Sequence, residues 1–216
     1  MGLLVIDNAE RSDAEFNRSL VDVIQGIKSI GSSAVAHYSD ALDIAGIQAE
    51  YDGIVLSGVP IEYSLESIDE RRERLEPVIR SGVPILAICL GHQAIGEVWG
   101  GEVIAMDEEE SGLVTTRVIE PDPLFNQIGP SFKTAMMHWA EVTAPEGFVR
   151  LAETKRCKNA AMKYAGTDRI LYGVQFHPEL SPDGQTIFKN FARMAKAQGA
   201  ETAVLPDPAY EQPAVA

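Results

Sequence analysis

Two cysteines and four histidines are the side chains best suited to nucleophilic and proton-transfer chemistry near neutral pH. Cys89 holds the most telling position. It ends the apolar run Val83-Pro84-Ile85-Leu86-Ala87-Ile88 and is followed by Leu90-Gly91-His92-Gln93. An apolar run of that length between a proline and a glycine fits a buried strand. Gly91 then permits the close backbone approach of a sharp strand-to-helix corner. A thiol at such a corner lies at a helix N-terminus, where partial positive charge favours thiolate. Read alone, Cys89 is either a nucleophile on an elbow or an inert thiol capping a core strand.

A cysteine nucleophile needs a base, and the base needs an orienting group. His92 lies one helical turn from Cys89 and is expected to bond locally. His37 ends a strand with no carboxylate motif beside it. His177 follows the apolar run Leu171-Tyr172-Gly173-Val174-Gln175-Phe176, and Pro178 restricts the chain after it. In an extended stretch, Glu179 would point the same way as His177 and orient its ring. The local alternative is a His-Pro turn with a surface glutamate. Acyl transfer also needs oxyanion donors. The Leu90 N–H is one by elbow geometry, and the turn Ser57-Gly58-Val59-Pro60 offers another. Cys89 and Cys157 show no spacing that suggests a metal site.

These residues must be positioned by elements legible in the pattern. Apolar runs at 2–6, 34–38, 53–58 and 83–88 read as strands. Helices are expected over about 12–30, 66–80 and 90–99, and 41–49 reads as a short helix or a loop. This alternation predicts an α/β fold, doubly wound, with a mostly parallel central sheet flanked by helices. In such sheets, sites form beyond the carboxyl ends of the strands. Asp7-Asn8, Ser57-Gly58 and Cys89 all fall there. From Glu102 the texture turns to short β-like runs at 102–105, 113–119, 132–136, 141–144, 149–153, 160–163 and 170–174, an added β-rich section. A helix over 185–198 closes a single domain spanning 1–199. The Pro-containing tail 200–216 is expected to be disordered. Asp107 to Glu110 reads as a solvated charge run or as part of a partner surface.

The 216 residues carry 18 Lys+Arg against 32 Asp+Glu, a net charge of −14, which argues against nucleic acid as a partner. The N-terminus lacks the pattern of a signal peptide, and no apolar run is long enough to span a membrane. Two cysteines make no disulfide framework, so a reduced, cytoplasmic setting is expected.

Taken together, Pro84-Ile85-Leu86-Ala87-Ile88-Cys89-Leu90-Gly91-His92-Gln93, Tyr172-Gly173-Val174-Gln175-Phe176-His177-Pro178-Glu179 and Leu56-Ser57-Gly58-Val59-Pro60 resemble the nucleophile, His-x-Glu and oxyanion motifs of class I (triad-type) glutamine amidotransferases. The resemblance covers about residues 2–197. Within that family, Val5-Ile6-Asp7-Asn8, Cys157-Lys158-Asn159-Ala160-Ala161-Met162-Lys163 and Ala135-Met136-Met137-His138-Trp139-Ala140-Glu141-Val142 are most similar to the separate glutaminase subunit of archaeal-type GMP synthases. The resemblance implies glutamine hydrolysis through a γ-glutamyl thioester on Cys89, with His177 moving the proton and Glu179 orienting His177. Gly58, Val59 and Leu90 would form the oxyanion site. Gln93, Gly58 and the Met137-His138 backbone would hold L-glutamine. Ammonia would pass to an ATP-dependent synthetase subunit that aminates XMP. ATP and Mg would be bound by that partner, with no cofactor in this chain.

The sequence departs from the family pattern at four places. Val59 stands for the second loop glycine and Ala87 for a glycine before the cysteine. Met137 replaces a serine and Ala140 an aspartate. Two other readings fit the same residues: a stand-alone γ-glutamyl amide hydrolase, and a non-enzymatic binding or regulatory module.

Overall fold

Near-continuous apolar runs build the centre of the sheet. The computed structural model describes residues 2–9, 23, 25–27, 31, 33–58 and 65–204. Strands β1 (Gly2–Asp7), β2 (Ser33–His37), β3 (Tyr51–Leu56) and β4 (Ile85–Ile88) pair in parallel in the order β2-β1-β3-β4. β9 (Leu171–Val174) extends this parallel half beside β4. Strands buried on both faces need apolar residues at every position, and all four residues of β4 and of β9 are buried.

Alternation then sorts those residues into two cores. Leu3, Val5, Leu86 and Ile88 face Val23, Ile27, Phe188 and Phe191. Leu4, Ile6, Ile85 and Ala87 face Leu75, Val78, Ile79 and Ile95. Each fully buried Leu, Ile or Phe contributes roughly 1.5–3 kcal/mol. Helices therefore cover both faces. α1 (Ile44–Glu50), α2 (Leu65–Ile79) and α3 (Leu90–Val98) follow β2, β3 and the Cys89 corner. α4 (Gly184–Val204) packs Phe188 and Phe191 against the opposite face. Of the helix expected over 12–30, Val23, Gln25, Gly26 and Ile27 are described; all four are helical. The rest of that expectation lies outside the described residues.

The β-rich section continues the same nine-stranded sheet. β5 (Val103–Val118), β6 (Ser131–Val142), β7 (Phe148–Glu153) and β8 (Ala161–Tyr164) join β9 antiparallel in the order β9-β8-β7-β5-β6. Two boundaries differ from the sequence reading. The runs 102–105 and 113–119 are one 16-residue strand that carries the charged segment between them, with a register shift between Ala105 and Glu110. The runs 132–136 and 141–144 are likewise one strand, β6. Pairing along their length holds both strands together where local composition suggested breaks. α4 passes through Gly199 to Val204, so 200–204 are helical. The remainder of the expected disordered tail, 205–216, lies outside the described residues.

Candidate active site

Cys89 sits where β4 stops and α3 starts. Its φ is 50° and its ψ −105°. Positive φ is unfavourable for a residue with a side chain, by about 1–3 kcal/mol. Among the described residues, only Gln127 shares it outside glycine. The corner is fixed from both sides. The Cys89 N–H donates to the Val174 carbonyl at 2.8 Å, prolonging the β4–β9 ladder, and the Cys89 carbonyl accepts from Gln93 N–H at 3.1 Å. The strain thus falls on Cys89 itself. Gly91 serves close packing instead: a Cβ there would lie 3.0 Å from Leu56 Cβ and 3.2 Å from the Leu56 carbonyl oxygen. Leu90 opens α3, and a first-turn N–H has no partner within its own helix.

His177 arrives just beyond β9. Its N–H donates to the Ala135 carbonyl of β6 at 2.9 Å. Its own carbonyl accepts from Ser181 Oγ at 2.6 Å, and Ser181 Oγ accepts from the Ala135 N–H at 3.0 Å. The backbone that carries the imidazole is therefore pinned. Nδ1 lies 2.7 Å from Oε1 of Glu179, and both side chains are buried. The route to this pair differs from the expected extended stretch. His177 is extended (φ −97°, ψ 95°), but Pro178–Leu180 form a 3₁₀ turn, and this turn swings Glu179 back to the ring. Nε2 is buried without a hydrogen-bond partner. Burial opposes charge on this ring, but Glu179 and the Cys89 sulfur outweigh it and hold the His177 pKa well above its usual value. The ring is thus held toward its charged form beside the Cys89 sulfur.

Gly58 lies against both groups. A Cβ at Gly58 would stand 2.8 Å from His177 Cε1 and 3.1 Å from Cys89 Cβ, so any side chain would displace one of them. Ser57 anchors this turn: its N–H donates to Ile6, Asn8 N–H donates to Ser57 Oγ at 3.0 Å, and Asn8 Nδ2 donates to the Ser57 carbonyl at 2.6 Å. The buried Arg71 of α2 donates from Nε to the Asn8 carbonyl at 2.8 Å. Three strand ends, β1, β3 and β4, thereby meet at one rim. Val59 lies outside the described residues.

Gln93 and Gln175 complete the wall beside the sulfur. Gln93 Nε2 donates to the Ala140 carbonyl at 3.0 Å and to Gln175 Oε1 at 3.2 Å. Gln175 Nε2 donates to Cys89 Sγ at 3.6 Å. His138 turns its ring into the protein: Nδ1 meets the Ala140 carbonyl at 2.9 Å and Nε2 meets Glu110 Oε2 at 3.2 Å. The His138 ring is therefore taken up within the protein and is not free to meet a ligand. Glu110 corrects the reading of 107–110 as a solvated run. It is buried, accepts from Thr154 Oγ1 at 2.7 and 2.9 Å, and has a lowered pKa because His138 and Thr154 outweigh its burial. Glu108 of the same run does face outward and pairs with Arg156.

The remaining candidates lie elsewhere. His92 meets the Asn159 carbonyl through Nε2 at 3.0 Å, and burial pushes its pKa down to about 3, so it stays neutral. His37 bonds Ser39 and the Ala9 carbonyl on the outer strand β2. Cys157 is fully buried, and burial with nearby Glu141 pushes its thiol pKa well up, which leaves it inert. Among the described residues no group of three His, Cys, Asp or Glu side chains could hold a metal, and no helix is long and apolar enough to cross a membrane. Sequence reasoning placed Asn8 on the rim but passed over Gln175 and Ser181 as site residues. A signal was present for Gln175, because a polar side chain inside a buried apolar run needs a buried partner.

Comparison with known proteins agrees with this geometry. Residues 11–195 match the family model described as Glutamine amidotransferase class-I. The glutamine-hydrolysing GMP synthase subunit of Methanosphaera stadtmanae is 33% identical over 199 residues, covering 91% of this chain and 99% of the relative. The subunit of the same name from Methanocaldococcus jannaschii is 34% identical over 196 residues, covering 89% and 96%. Among solved structures, a provisionally named GMP synthase subunit from Thermoplasma acidophilum superposes with a TM-score of 0.76 at 22% identity, covering 94% of this chain and 98% of that one. A glutamine amidotransferase from Thermotoga maritima superposes with a TM-score of 0.64 at 19% identity, covering 94% and 86%. At these identities the structures speak for the fold.

Proposed function

The chain belongs to the class-I glutamine amidotransferases, and from that premise we propose that it hydrolyses L-glutamine on Cys89 and supplies the ammonia to a separate synthetase subunit that makes GMP from XMP. The observation that carries the reading is the buried His177–Glu179 pair at 2.7 Å, with the remaining ring nitrogen unbonded and the Cys89 sulfur close enough to favour charge on the ring.

The reaction follows from those positions. The Cys89 thiolate attacks the side-chain carbonyl carbon of glutamine, and the carbonyl oxygen becomes an oxyanion. In this reading Leu90, Gly58 and Val59 supply the oxyanion site that receives it. His177, protonated, gives its Nε2 proton to the leaving nitrogen; the C–N bond breaks, ammonia departs and a γ-glutamyl thioester remains. Neutral His177 then takes a proton from water as the water attacks the thioester. The C–S bond breaks, glutamate leaves and thiolate and imidazolium are restored. Glu179 holds the ring in place and stabilises its charge.

The synthetase partner and the GMP product rest on the relatives' names, which describe the glutamine-hydrolysing component of a GMP synthase. ATP and Mg belong to the partner in this reading, and the setting is cytoplasmic. The test is Cys89→Ala, assayed for glutamate release by itself and with a candidate synthetase. Hydrolysis falls to background while the thermal transition stays in place, since the change is small. Full activity in Cys89→Ala would overturn the proposal.

A further inference from the structure

The amide of Gln175 lies on the sulfur and belongs to a hydrogen-bond chain whose polarity is set far from it. Gln175 is fully buried. The oxygen and nitrogen ends of an amide are close in shape, so its partners decide which end points where. Here the decision starts at the Ala140 carbonyl, which can only accept. That carbonyl holds the NH₂ end of Gln93 at 3.0 Å. The second hydrogen of the same NH₂ needs an acceptor, which turns Oε1 of Gln175 toward it at 3.2 Å. The NH₂ of Gln175 is then left facing Cys89 Sγ at 3.6 Å. At its far end the chain is braced by His138, which also donates to the Ala140 carbonyl and is backed by Glu110.

We propose that Gln175 is a second polar partner of the Cys89 sulfur, donating an N–H that stabilises the thiolate, and that Gln93 is the positioning residue that keeps the donor end of that amide on the sulfur. The inference rests on the reading of Cys89 as the nucleophile. A donor to sulfur favours the charged form, as His177 does from another direction. The effect on reactivity is a larger thiolate fraction at neutral pH, only partly offset by lower intrinsic nucleophilicity. Among the described residues, the titratable groups set around the sulfur are these. His177 and Glu179 approach from beyond β9, and His138 with Glu110 stand behind the Ala140 carbonyl. His92 on α3 bonds to Asn159 and stays neutral.

The test is the pH profile of Cys89 alkylation by iodoacetamide on the full chain, read by peptide mass spectrometry over about pH 4–10. Gln175→Leu raises the apparent pKa of Cys89 by about one unit, a roughly tenfold loss of reactivity below it. Gln93→Leu shifts it in the same direction by less, because it frees the Gln175 amide to turn. Gln175→Glu keeps the shape, guards against a variant that fails to fold, and shifts the profile further by setting a carboxylate against the thiolate. Profiles of all three variants that superpose on the parent overturn the inference. Failure of the parent Cys89 to alkylate anywhere in the range overturns instead the underlying reading of Cys89.

Discussion

Among the described residues, two histidine–carboxylate pairs lie buried, and they differ in what the other ring nitrogen does. His177 meets Glu179 through Nδ1 at 2.7 Å, and its Nε2 has no hydrogen-bond partner. His138 meets Glu110 through Nε2 at 3.2 Å, and its Nδ1 is already committed to the Ala140 carbonyl. Glu110 is saturated in turn by Thr154. The first pair keeps a nitrogen available beside a sulfur; the second is closed. A buried His–Glu contact alone therefore does not mark a proton carrier. In the proposed reading, the uncommitted nitrogen beside the strained Cys89 does.

The comparison breaks if the two histidines behave alike on substitution. His177→Ala lowers glutamine turnover by about 10⁴-fold, because it removes the proton carrier. Glu179→Ala costs less, about 10²–10³-fold, because it removes orientation and charge support while the imidazole remains. Steady-state glutamate release measures both. Equal losses would mean that Glu179 takes part in proton transfer directly.

The closed pair shows itself in stability. Glu110→Gln removes the buried carboxylate that His138 and Thr154 hold, at a cost of about 1.5–3 kcal/mol near neutral pH. The sign of its pH dependence follows from the lowered pKa of Glu110. A depressed carboxylate stabilises the fold above its unfolded pKa, and that contribution fades as pH falls through the folded value. The stability gap between parent and Glu110→Gln, measured by denaturant unfolding, therefore narrows as pH drops below about 4. A gap that stays constant with pH would remove the ionic explanation.

The same contrast explains what the sequence revealed. Cys89 and His177 were legible because each ends an apolar run, and a strand buried on both faces must be apolar throughout. Glu179 was found by its spacing, though the 3₁₀ turn at Pro178–Leu180 does what an extended stretch was expected to do. Glu110 was misread because its neighbours Asp107, Glu108 and Glu109 are charged. Its burial depends on the register of β5 against β6, where Glu110 faces His138 across 28 residues of chain. The lengths of β5 and β6 were hidden for the same reason. Gln175 stood within a quoted motif, yet its role needs Gln93 on α3 and Ala140 on β6, which only the fold brings together. Gly58 reads locally as a turn glycine, whereas in the fold it makes room for the His177 ring.

The most direct test of the central claim is covalent capture by a glutamine analogue carrying an electrophile in place of the side-chain amide. Intact mass and peptide mapping near pH 7 are predicted to show one adduct per chain, on Cys89, abolished by His177→Ala and leaving the buried Cys157 unmodified. An unlabelled Cys89, or labelling that does not depend on His177, would contradict the account.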